Sequence, residues 1–117
     1  LAPVQVVVLP ISDRHLAYAG DVRDRLEAAG LRVELDERQE KIGYKIREAQ
    51  LQKVPYMLVT GDREAAEGTV SVRSRSSGDL GPRSVDEFMR AALDEIARKD
   101  SGIKPTVQME TAQATEA

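Results

Sequence analysis

The stretch VQVVVLPISDRHLAYAGDVRDRLEAAGLRVELD, residues 4–36, decides the fold. Its first eight residues are almost continuously aliphatic and β-branched, the composition of a strand covered on both faces of a parallel sheet. Ser12 and Asp13 then offer N-cap oxygens. Leu16, Ala19, Val22, Leu26 and Ala29 recur at helical spacing, and Gly30 stands where a helix end favours a positive φ. Residues 31–36 alternate Leu, Val and Leu with Arg, Glu and Asp, the period-two pattern of a second strand. The economical reading is a βαβ unit, with its two strands parallel and its helix on one face.

The rest of the chain extends that unit. At about 100° per residue, Ile42, Ile46 and Ala49 share one face of a second helix, Lys41, Lys45, Glu48 and Gln52 a polar one, and Tyr44, Arg47 and Leu51 a third stripe. Pro55 ends that helix, and residues 56–61 (YMLVTG) read as a third buried strand. Residues 61–68 (GDREAAEG) read as a polar connection with one helical turn. In residues 69–75, Val70 and Val72 alternate with Ser71, Arg73 and Arg75, which predicts a strand with one wet face. Ser84 followed by Glu87 is a capping-box pattern opening a helix over 85–98 that buries Phe88, Met89, Ala92, Leu93 and Ile96. From residue 100 the periodicity stops and a flexible tail is expected. The predicted order is β-α-β-α-β-β-α: three parallel core strands, helices on both faces, and an antiparallel or edge strand added late.

Composition narrows the chemistry. A chain of 117 residues is one domain's worth, burying roughly two-thirds of the surface its unfolded form exposes. It starts at Leu1, which suggests a piece of something larger. The longest apolar run is far short of the ~20 residues of a membrane span, so no membrane partner is expected. Cysteine is absent, which excludes disulfides, a thiol nucleophile and thiolate metal sites. His15, the one histidine, reads as a loop or capping residue just after a strand. No phosphate-binding or dinucleotide fingerprint is present.

The formal net charge is −3, yet its distribution is uneven. Residues 1–40 carry five Arg against eight acids and residues 84–117 four Lys/Arg against seven, whereas residues 41–83 carry eight Lys/Arg against five. That basic island holds what single-stranded RNA recognition uses: cations for the backbone, planar groups for stacking, and carboxylate or guanidinium groups for base edges. Arg73 and Arg75 project from a strand, Tyr44 and Arg47 lie three apart on a helix, and Glu64 sits in the adjoining segment. Gly43 permits close approach of a backbone. Each also fits a solvated surface, so residues alone support an RNA- or anion-binding α/β domain.

The segments APVQVVVLPIS, EKIGYKIREAQLQKVPYMLVTGDRE, GTVSVRSR and GDLG resemble the C-terminal anticodon-binding domain of threonyl-tRNA synthetase, a class II aminoacyl-tRNA synthetase, over residues 1–99. The resemblance implies a three-layer α/β/α fold with a mixed, mostly parallel five-stranded sheet, its fifth strand around Asp79 and Leu80. It implies recognition of the threonine tRNA anticodon loop through G and U. Arg73 matches the family's strand arginine against the bases, Glu64 an acid beside them, and Arg47 the helix arginine of K-I-R-E. Lys41 and Gly43 belong to the E-K-I-G turn. Gln39 stands where the family has asparagine, offering the same amide one methylene further out.

The resemblance places catalysis elsewhere. Class II motifs, zinc ligands and an editing domain are missing, so this segment is non-catalytic and needs no cofactor. ATP, Mg2+ and Zn2+ are expected in the parent's catalytic domain. The implied parent is a cytoplasmic homodimer with no DNA partner, and the segment alone is compatible with a monomer. The alternative is the same fold recruited as a protein-interaction or dimerisation module, marked by an apolar patch and an Arg73 buried in an ion pair.

Overall fold

The computed structural model describes residues 4–101, with side chains through residue 98. Five strands, β1 (Val6–Pro10), β2 (Val33–Leu35), β3 (Tyr56–Thr60), β4 (Thr69–Ser74) and β5 (Gly78–Ser84), form one sheet in the order β2-β1-β3-β4-β5. β1 pairs in parallel with β2 and β3, while β4 is antiparallel to both β3 and β5. Four strands therefore point one way and β4 the other, the mixed sheet expected. Helices α1 (Leu16–Ala28), α2 (Ile42–Leu51), α3 (Asp62–Glu67) and α4 (Val85–Ser101) complete the order. The expected tail lies, beyond Ser101, outside the described residues.

Two apolar clusters hold the layers together. Val6 and Val8 of β1, Leu58 of β3, and Val70 and Val72 of β4 meet α1 and α4 through Ala19, Val22, Leu26, Phe88 and Ala92. Val7 and Leu9, pointing the other way along β1, meet Met57 and the Ala49 face of α2. The unbroken aliphatic character of β1 is thus explained, because all five of its residues are buried between helices.

The second cluster takes nothing from β4 or β5. Since side chains alternate along a strand, Thr69, Ser71 and Arg73 lie on the α2 side of the sheet but beyond α2 itself. On that face β4 presents the half-buried Thr69, Ser71 and Arg73 beside α2.

Several elements differ from the sequence reading. β2 is three residues long because the backbone N–H of Leu31 is spent capping α1, donating to Leu26 O at 3.1 Å beside Gly30 at φ 103°. The connection after β3 is a six-residue helix, α3. Glu64 accepts the Gly61 N–H at its start, and Gly68 at φ 73° ends it. β5 runs to seven residues because it pairs along β4, with a bulge at Val72/Arg73. The Ser84 and Glu87 capping box forms as expected, its two bonds at 3.0 and 3.2 Å.

Candidate functional site

The parallel strands deliver three connections to one end of the sheet, and side chains tie them together. Arg14 donates to both carboxylate oxygens of Asp62 at 2.9 and 2.8 Å, joining the turn after β1 to the start of α3. His15, buried in a 3-10 turn (Asp13–His15), adds a 2.6 Å contact from Nε2 to the same carboxylate. Its Nδ1 accepts the Ser12 N–H at 3.2 Å, so Nε2 carries the proton given to Asp62. The Arg14 guanidinium, and then His15, hold the Asp62 carboxyl far below the usual carboxylate range. His15 is a structural tie, more deeply seated than a loop residue.

The segment between β2 and α2 is fixed the same way. Arg38 clasps Asp36 through two hydrogen bonds at 2.9 and 2.8 Å, and also binds Glu48 of α2. Those bonds lower the Asp36 and Glu48 carboxyls below their ordinary values. The Arg38 guanidinium lies 5.8 Å from the Tyr44 ring centre, and the Tyr44 hydroxyl donates to Glu48 at 3.0 Å.

Lys45 corrects the sequence reading. The wheel placed it on a polar face, but it is 3% exposed. Its Nζ donates to Pro10 O at 3.1 Å and Asp36 O at 3.3 Å, the carbonyl ends of β1 and β2. The physical reason is position: three residues after Ile42 and four before Ala49, its stem continues the apolar stripe. It is unavailable to a ligand and instead anchors α2.

These contacts orient α2. Lys45 and Glu48 face β2, so at about 100° per residue Gly43, Arg47 and Gln50 face the opposite way, toward the β3 side of the sheet. Arg47 and Gln50 are exposed. Gly43 sits in α2, and a Cβ built there meets nothing within 4 Å, so the fold itself does not require glycine. Arg73 lies on β4, its backbone opposite Met57 of β3 and Asp79 of β5. Its side chain is 31% exposed, its Nη1 lies 3.8 Å from Asp79, and its Nε is buried with no hydrogen-bond partner among the described residues. The guanidinium is held by packing rather than by acceptors.

The remaining candidates are committed to local contacts. Glu64 is half-buried, and one of its carboxylate oxygens accepts the Gly61 N–H at 2.8 Å. Gln39 is exposed, and its amide donates to Asp13 at 2.7 Å. Lys41 is exposed at the start of α2 and, with Gln39, lines a cavity of about 380 Å³ between the loops after β1 and β2. By register Arg73 lies level with Met57 near the start of β3, whereas Gln39, Lys41, Gly43 and Glu64 stand at the other end of the sheet, on the connections that follow β1, β2 and β3.

Comparison with known proteins identifies the family and the fold. Residues 5–95 match the model of a family described as an anticodon binding domain. The chain is 66% identical over 99 residues to a threonine–tRNA ligase of Caldanaerobacter subterraneus subsp. tengcongensis, covering 85% of the chain and 15% of the relative. It is 63% identical over 99 residues to that of Syntrophomonas wolfei, covering 85% and 16%. The chain therefore spans about one-sixth of the length of these curated relatives. Among solved structures, the RNA-binding domain of threonyl-tRNA synthetase from Cryptosporidium parvum Iowa II superposes with a TM-score of 0.74. The identity is 33%, covering 80% of this chain and 24% of that one.

Proposed function

The chain belongs to the anticodon-binding domain family, and from that membership we propose that it is the tRNA-reading module of a threonine–tRNA ligase. In this reading it holds G and U, the second and third anticodon bases of threonine tRNA. The observation that carries it is Arg73: a guanidinium on β4, its Nε without an acceptor among the described residues and its one ion pair loose and solvent-screened. Such a fork suits the O6/N7 edge of guanine.

The other residues take supporting roles. Arg47 and Lys41 contact the RNA backbone or a base, and Gly43 lets a ribose come close to α2. Gln39 offers its amide to uracil by exchanging the Asp13 contact. Glu64 contributes the carboxylate oxygen not bound to Gly61, as an acceptor for guanine N1–H and N2–H.

Aminoacylation belongs to the length of the relatives that this chain does not span, where ATP, Mg2+ and Zn2+ would serve catalysis. Among the described residues no group of three His, Cys, Asp or Glu side chains is placed to hold a metal ion. No helix of the described residues is long and apolar enough to cross a membrane. A homodimeric parent acting on tRNA in the cytoplasm, with no DNA partner, completes the reading. The protein-interaction alternative is disfavoured, because Arg73 is not locked to Asp79 in a buried ion pair.

The test is titration of the chain with a threonine tRNA anticodon stem-loop and with the same RNA altered at the second anticodon base. The altered RNA is expected to bind more weakly by about 1–3 kcal/mol, roughly 5–150-fold. Equal binding would sink the base reading, and binding to neither at low salt would sink RNA recognition altogether.

A further inference from the structure

We propose that Tyr44, in the first turn of α2, is a stacking platform for a base of the anticodon loop that flanks the G and U pair. The proposal rests on the anticodon reading above, and its occupant is the same RNA.

Exposure is the first observation. Of the four aromatic residues in the chain, Phe88 is buried, and Tyr18 and Tyr56 are half-buried, packed against the first apolar cluster. Tyr44 alone is exposed, at 44%. Helix α2 turns Ile42, Ile46 and Ala49 to the second cluster, and at about 100° per residue Tyr44 points nearly opposite to them. The ring adds nothing to the core.

Rigidity is the second observation. The Tyr44 hydroxyl donates to Glu48 one turn on at 3.0 Å, and the Arg38 guanidinium lies over the ring, 5.8 Å from its centre. Arg38 is itself fixed by Asp36 and Glu48. An exposed pair four residues apart adds little to a helix, so the arrangement contributes little to stability. It does hold the ring in one place, and a side chain already held loses little freedom when a partner arrives.

Position is the third. Tyr44 follows Lys41 and Gly43 at the start of α2, and Arg38, which lies over it, lines the cavity of about 380 Å³ together with Gln39 and Lys41. The ring therefore borders the residues assigned above to uracil and to the RNA backbone. Reading G and U by their edges leaves the neighbouring loop bases to be held without regard to identity. An aromatic face does that, because every base offers a π surface.

The experiment measures affinity for the threonine tRNA anticodon stem-loop in wild type, Tyr44→Ala and Tyr44→Phe. Each protein is titrated with the intact loop and with loops carrying an abasic nucleotide on one side of the G and U pair or on the other. Tyr44→Ala is expected to bind the intact loop roughly 5- to 150-fold more weakly, whereas Tyr44→Phe, which loses the same bond to Glu48 but keeps a ring, should stay within about 3-fold of wild type. At one of the two flanking positions the abasic RNA should bind wild type weakly and should no longer distinguish it from Tyr44→Ala. Exchanging that base for another should change affinity little, and the preference for the matched second anticodon base should persist in Tyr44→Ala. Equal affinity of Tyr44→Ala and wild type would overturn the platform, as would a Tyr44→Phe chain as weak as Tyr44→Ala, or a Tyr44→Ala loss that both abasic RNAs leave intact. If Arg73→Met still loses guanine discrimination in that case, the anticodon reading stands and the platform alone is wrong. If Arg73→Met binds and discriminates as wild type does, the anticodon reading is what failed.

Discussion

Helix α2 has two flanks in opposite condition. Toward β2 the charges are paired within the protein: Arg38 with Asp36 and Glu48, Tyr44 with Glu48, and Lys45 with two strand carbonyls. Toward β3, Gly43, Arg47 and Gln50 are exposed, and Arg73 of β4, on the same side of the sheet, has a buried Nε without a partner among the described residues. The difference separates two uses of polar residues in one basic segment. Where donors and acceptors close on each other they set geometry, and where donors are left open on a rigid wall they await a partner.

The paired flank breaks most severely at its buried centre. Lys45→Met keeps the aliphatic stem and removes both bonds to Pro10 O and Asp36 O. Unfolding free energy is expected to fall by about 2–3 kcal/mol, because hydrogen bonds from a charged donor are lost and their acceptors stay buried. Urea melts measure this. A stability equal to wild type would mean that the flank is not structural.

Acid acts more gently on the same kind of contact. Asp62, Asp36 and Glu48 all have carboxyls depressed by hydrogen-bonded arginines, with His15 adding to Asp62. A depressed folded value means that the stabilisation is complete above the ordinary carboxylate range and is lost as pH falls through the folded value. The urea midpoint should therefore be level from pH 7 to about 5 and decline below about 4. Asp62→Asn should flatten part of that acid limb. Parallel curves for the two proteins would show that the Arg14–Asp62–His15 tie contributes nothing.

Much of the frame is legible in the sequence for reasons the structure makes plain. β1 reads correctly because a strand buried on both faces has no polar positions, and α1 because its buried Ala19, Val22 and Leu26 recur at helical spacing. β5 is not legible from its own residues, since GDLGPRS has no β-branched residue and its extent comes from pairing with β4. Lys45 is missed because its charge reads as exposure, although its place beside Ile42 and Ala49 was the available signal.

The candidate site divides likewise. Arg73 is named from strand alternation, Arg47 from the helix wheel, Gly43 from its backbone freedom and Glu64 from its place beside the basic strand. Gln39 entered through family resemblance, and the hydrogen bonds of Gln39 to Asp13 and Glu64 to Gly61 could not be read from spacing. Which flank of α2 faces β2 is a tertiary fact, decided by Lys45 and Glu48.

The open flank is tested most directly at Arg73. Arg73→Met preserves a long side chain on β4 and removes a buried donor that has no acceptor, so thermal stability is expected to stay within about 0.5 kcal/mol of wild type. Affinity for the matched anticodon stem-loop should fall by about 1–3 kcal/mol, and discrimination at the guanine should disappear. Unchanged binding and discrimination by a fully folded Arg73→Met chain would contradict the account.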